Sequence, residues 1–120
     1  MRGVLAHAYL FAGSEGACKR KTARAVAAIL LGIEEDRLPL HPDYIALERG
    51  GEQGDKEIRI EEVRELKGRL ALTSSLGGWR VAIIERVELL SREASSALLK
   101  LLEEPGEKTV LIMTTDRFGA

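Results

Sequence analysis

The stretch from Val81 to Pro105, VAIIERVELLSREASSALLKLLEEP, restricts the possible folds more than any other part of the chain. Val81-Ala82-Ile83-Ile84 is a short apolar run rich in β-branched residues, the pattern of a strand covered on both faces in a parallel sheet. The run turns charged at Glu85-Arg86. Beyond it Leu90, Ala94, Ala97, Leu98 and Leu101 recur at helical spacing and make one apolar stripe. Ser91 is placed to cap that helix with its hydroxyl, Glu93 puts negative charge where the helix dipole favours it, and Pro105-Gly106 ends the helix. A buried strand feeding a crossover helix predicts an open parallel α/β sheet. In such sheets chemistry collects at the carboxyl ends of the strands, which marks Glu85 as the position of a metal-nucleotide ligand.

The rest of the chain repeats this alternation. Ala8 to Ala12, AYLFA, reads as a first strand ended by Gly13. Ala23, Val26, Ala27, Leu30 and Leu31 then mark one face of a helix closed by Gly32. Asp43 to Leu47 is a second strand, followed by a glycine-rich, charged loop from Arg49 to Lys56. Ile60, Val63, Leu66 and Leu70 mark a further amphipathic helix, whose exposed face alternates acids and bases as a solvated surface does. Thr109 to Thr115, TVLIMTT, reads as another buried strand. Trp79 reads as a packing or rim residue, since a base-stacking platform needs a second aromatic beside it. At 120 residues, 45% of them hydrophobic, the chain makes one domain, residues 1–120, with a single core.

A strand, a glycine-bearing turn and a helix form the context of a phosphate-binding loop. Gly13 to Arg20, GSEGACKR, compares with the pattern G-x-x-x-x-G-K-[ST] at Gly13 and Lys19, and Gly16 adds a further glycine. Two positions fail. Cys18 stands where a glycine lets the backbone approach phosphate, and Arg20 stands where a hydroxyl would meet magnesium. This reads as a degenerate phosphate loop. The cluster Lys19, Arg20, Lys21 and Arg24 opens a helix, where the dipole disfavours positive charge, so either an anion binds there or the side chains extend into solvent. The same setting lowers a thiol pKa, yet lone cysteines are mostly inert packing residues.

Net charge of −1 does not indicate nucleic-acid binding by bulk electrostatics, so any DNA contact must be local. One cysteine excludes a disulfide framework and a cysteine-based zinc site within the chain. There is no charged-then-apolar leader and no apolar run of membrane-spanning length, so the expectation is a soluble cytoplasmic chain with no membrane partner.

The words HAYLFAG, HPDYIAL and LLSREASSALLKLLEEPG resemble the clamp-loader ATPase subunits of bacterial DNA polymerase III, in order, from His7 to Asp116. The resemblance implies a P-loop NTPase fold of the AAA+ type: a three-layer sandwich whose mostly parallel sheet of about four strands lies in the order 1-4-3-2, without the fifth strand and without the lid and collar domains. It implies that Glu85 occupies the place of the metal-binding aspartate and Arg86 that of the catalytic glutamate, a degenerate Walker B. Thr114 or Thr115 takes the place of the nucleotide sensor. Lys100 is implied to face a neighbouring subunit, and Ser91 and Arg92 a DNA phosphate; the plainer readings are a solvated lysine and a simple cap. The four-cysteine zinc module of many relatives is absent.

ATP hydrolysis in this fold needs a phosphate cradle, magnesium ligands and an acid that orients water. With Cys18, Arg20, Glu85 and Arg86 in those places, no ATP turnover and weak or no magnesium-ATP binding are expected, and without the cysteine module no zinc. Within the family the HPDY and Val63-Arg64-Glu65 words point to delta-prime, described as the stationary member of a five-subunit ring. Its partners would be gamma/tau and delta subunits and, indirectly, the sliding clamp and primed DNA. The alternatives are an active gamma/tau-like ATPase, another P-loop enzyme, or a free-standing nucleic-acid-binding module.

Overall fold

All seven residues of TVLIMTT are buried, which requires a covering layer on each side of that strand. The computed structural model supplies both layers. It describes residues 8–13, 17–49, 56–72, 78–104, 106 and 108–116, with the side chains of Ala17 and Cys18 outside that description. The chain runs β1 (Ala8–Ala12), α1 (Ala17–Leu31), a 3-10 helix (Glu35–Leu40), β2 (Tyr44–Leu47), α2 (Ile60–Ala71), β3 (Arg80–Ile84), a 3-10 turn (Val87–Leu89), α3 (Arg92–Glu103) and β4 (Thr109–Thr115). The four strands form one parallel sheet in the order β1-β4-β3-β2. This is the expected three-layer α/β sandwich, with no fifth strand among the described residues.

Alternate residues of the two central strands point to opposite layers, as the two-residue period of a strand demands. Val81 and Ile83 of β3 and Val110 and Ile112 of β4 pack on Ala23, Ala27 and Ala28 of α1. Ala82, Ile84, Leu111 and Met113 face the other way, onto Val63, Leu66 and Leu70 of α2 and Ala94, Leu98 and Leu101 of α3. The three alanines of α1 let that helix lie close to the sheet. Trp79 packs against the α1 layer, as a rim residue should.

The punctuation of the helices follows local chemistry. Gly32, at φ 71, ends α1 by donating to Ile29 O, while Ile33 N donates to Ala28 O, the paired bonds of a Schellman cap. Ser91 Oγ accepts from Ala94 N at 3.0 Å and starts α3. Gly106, at φ 93, lies just beyond the end of α3; Pro105 is outside the described residues. Leu90 departs from the expected pattern. It precedes the cap rather than belonging to the helix, and Ile58 on either side of it donates to Leu89 O and accepts from Ser91 N. Its side chain still reaches the α2–α3 core, which is why it fits the helical stripe by spacing.

Two outcomes follow for stability. Leu111 is fully buried, so Leu111→Ala should cost about 2–5 kcal/mol in denaturant unfolding, through lost burial and the cavity left behind. Among the described residues β1 pairs with β4 alone and Leu10 is exposed, so in a monomeric sample its amides should exchange faster than those of β3. Equal protection of the two strands would contradict an open edge.

Candidate functional site

The carboxyl ends of all four strands and the start of α1 converge on one edge of the sheet. Gly13 follows β1, and its N–H donates to Thr115 O at 3.3 Å. Ser14, Glu15 and Gly16 of the candidate phosphate loop lie outside the described residues, as does the Cys18 side chain. Lys19 and Arg20 lie in the first turn of α1, where positive charge opposes the helix dipole. Neither extends into solvent as a free charge. Lys19 Nζ lies 3.0 Å from Asp116 Oδ1 and donates to Gly13 O at 3.3 Å. Arg20 Nη2 lies 2.9 Å from Glu85 Oε1, and one turn on Arg24 pairs with Glu48 at 2.8 Å. The expected choice between an external anion and solvated side chains is therefore corrected for these three. Carboxylates of the protein itself offset the dipole penalty, while Lys21 is exposed.

Glu85 is the buried centre of the edge, its side chain 3% exposed. Its Oε1 accepts from Arg20 and from the backbone N–H of Arg49 at 3.2 Å. Its Oε2 is buried and accepts no hydrogen bond among the described residues. Arg86, the next residue, is held in the left-handed region at φ 57, a conformation that costs a non-glycine residue about 1–2 kcal/mol. Its N–H donates to Thr114 Oγ1 at 3.1 Å, and its guanidinium lies 3.3 Å from Asp116 and 3.6 Å from Glu88. Thr115 Oγ1 donates to Glu88 Oε1 at 2.5 Å. Both sensor-position hydroxyls thus serve the turn after β3.

Five participants have no counterpart among the site residues of the sequence reading: Glu48, Arg49, Glu62, Glu88 and Asp116. Arg49 is buried, donating to the carbonyls of Glu48, Lys56 and Glu57 and to both carboxylate oxygens of Glu62. It closes the base of the loop between β2 and α2. Asp116 was accessible to the carboxyl-end rule, since it is the first residue beyond β4. Arg49 carried no such signal, because its partners are set by tertiary approach.

Lys100 and Arg92 are exposed on α3, and Ser91 acts as its cap. Among the described residues no group of three or more His, Cys, Asp or Glu is placed to hold a metal ion. No described helix is long and apolar enough to cross a membrane.

A family model described as DNA polymerase III, delta subunit, matches residues 1–119. The chain belongs to the DNA polymerase III clamp-loader family. It is 38% identical to DNA polymerase III subunit delta' of Pseudomonas aeruginosa, over 93% of this chain and 38% of that one. It is 34% identical to subunit tau of Escherichia coli, over 95% of this chain and 19% of the other. A crystal structure of a gamma subunit-related protein of Thermotoga maritima superimposes with a TM-score of 0.75 at 24% identity, over 92% of this chain and 34% of that one; this likeness is one of fold. The chain therefore spans well under half the length of these clamp-loader relatives, and its fold is of the AAA+ type.

Two acids tie the edge to pH. Burial pushes the Glu88 carboxyl up, but hydrogen bonds from Thr115 and backbone N–H groups outweigh burial and hold it below its ordinary value of 4.5. Burial likewise opposes ionisation of Glu62, and the Arg49 guanidinium with the Arg59 N–H brings it below 4.5. A folded-state value below the unfolded one contributes stability above the unfolded pKa and loses it as pH falls through the folded pKa. Thermal stability should therefore drop on acidification below pH 4.5. Glu62→Gln/Glu88→Gln should be less stable at neutral pH, with a shallower acid slope; an unchanged slope would contradict these assignments.

Proposed function

We propose that this chain is the AAA+-like part of a delta-prime subunit, a non-hydrolysing structural member of the clamp loader that helps place the sliding clamp on primed DNA. Its partners on this reading are gamma/tau and delta subunits, with the clamp and DNA engaged through the assembly. The observation that supports it most directly is the Arg20–Glu85 pair at 2.9 Å. In a magnesium-dependent NTPase the residue after the loop lysine offers a hydroxyl to the metal, and the acid at the end of the third strand helps to hold it. Here a guanidinium spans that interval and claims the acid.

The residues present do not fit magnesium-ATP. A divalent cation at Glu85 would meet the positive charge of Arg20 at contact distance. Lys19, which with Gly13 still matches the loop pattern, is engaged by Asp116 and by the Gly13 carbonyl. The position that would orient attacking water carries Arg86, a cation without basic lone pairs at neutral pH. No hydrolytic step is assigned to these groups, and the 38% identity to a delta' subunit supports the same reading.

A second reading, an active gamma/tau-like ATPase, draws on Lys19, which remains beside Gly13 at the start of α1. Calorimetric titration with magnesium and a slowly hydrolysed ATP analogue separates the two. The structural reading expects no heat, with or without Lys19→Ala. Tight binding that disappears in Lys19→Ala would overturn it in favour of the ATPase.

A further inference from the structure

Residues 25–33, AVAAILLGI, make up the second half of α1 and its cap and carry no polar side chain. Most of them belong to the core. Ala27 and Ala28 are buried against β3 and β4, and Val26, Leu30, Leu31 and Ile33 pack on the same cluster. Ala25, Ile29 and Gly32 are not part of it and follow one another at helical spacing along the outer face. Ile29 is 78% exposed, and a side chain added at Gly32 would meet nothing within 4 Å. A single exposed isoleucine is ordinary. A half-helix without any polar residue is not: surface helices turn polar residues outward, and those that are apolar all round are covered all round.

The charges at the two ends of α1 are equally out of place. A helix dipole favours acids in the first turn and bases in the last, and α1 has neither. Lys19 and Arg20 are answered by Asp116 and Glu85, but the exposed Lys21 pairs with no described residue. Just beyond the other end Glu34, Glu35 and Asp36 are all exposed, three acids against the single base Arg37.

A second α1 laid antiparallel on the first corrects both ends at once. Its acids come beside Lys21, and its own Lys21 comes beside the acids of the first helix. The two dipoles then run in opposite directions, which is also favourable. Midway between Lys21 and Asp36 the twofold axis passes beside Ile29, so the two isoleucines meet there. In the same register Ala25 of each copy faces the partner's Gly32, where the lack of bulk lets the helices approach. The stripe is thus complementary to itself, the condition that an interface between two identical subunits must meet.

We infer that α1 is a self-association surface, on which a second copy of this chain packs its own α1 antiparallel, Ile29 against Ile29 and Lys21 against the acids that follow Gly32. One helix face is small beside the about 800 Å2 per partner of a stable complex, so the dimer forms only at high-micromolar concentration. The inference is independent of the subunit role proposed above and of whether the carboxyl edge of the sheet binds nucleotide.

Sedimentation of the full 120-residue chain over a concentration series tests it. The parent chain should shift reversibly from monomer to dimer as concentration rises, and high salt should shift it back. Ile29→Glu places a charge at the axis and should weaken dimerisation by about tenfold or more. Ile29→Ser adds no charge and should weaken it in the same direction, which keeps the test intact if the glutamate variant does not fold. Lys21→Glu should also weaken dimerisation, and Lys21→Glu/Asp36→Lys should restore it, because the reversed pair is again complementary. A monomer at every concentration, a dimer indifferent to both Ile29 variants, or no recovery in the charge-swapped variant would each overturn the proposal.

Discussion

A buried carboxylate at the end of the central sheet governs the architecture of the carboxyl edge. Removing an ionised Glu85 from water costs several kcal/mol unless the fold returns comparable interactions. Here one oxygen receives Arg20 from α1 and the Arg49 N–H from the end of β2, so the charge of β3 fastens elements from both of its flanks. That requirement explains an arrangement otherwise unfavourable. Arg20 sits in the first turn of a helix, against the dipole, because Glu85 lies within reach there. Arg49 in turn is anchored by three carbonyls and Glu62, which carries the same network to the start of α2.

The layers of the fold were legible because burial leaves a periodic trace. Short apolar runs rich in β-branched residues at Val81 and Val110 read as strands covered on both faces, and Ser91 and Gly32 announced helix ends through chemistry that acts within a few residues. The strand order came from family resemblance rather than periodicity, and the sheet has that order. Leu90 shares the apolar stripe of α3 although it precedes the Ser91 cap, because its side chain still packs on the α2–α3 core. The 3-10 helix at Glu35–Leu40 carried no such trace, since six residues containing Pro39 show too little periodicity to be recognised.

The candidate site was legible in its residues but not in its bonds. Gly13, Lys19, Arg20, Glu85, Arg86, Thr114 and Thr115 all converge on one edge, while Ser91, Arg92 and Lys100 lie on or before α3. What no local pattern supplied was which acid meets which base. Arg20 and Glu85 are 65 residues apart, and such a pairing is decided by the approach of α1 to β3. The edge that carries nucleotide chemistry in P-loop folds is internally neutralised.

The central claim is that Arg20 is the resident counterion of Glu85, and a double-mutant cycle measures that interaction itself. Arg20→Ala, Glu85→Gln and the double variant would be compared with the parent chain by denaturant unfolding at neutral pH and low salt. A coupling energy of about 1–3 kcal/mol is predicted for groups in direct contact at a partly buried site. Additive effects, with a coupling indistinguishable from zero, would contradict the account and leave Glu85 available to another cation.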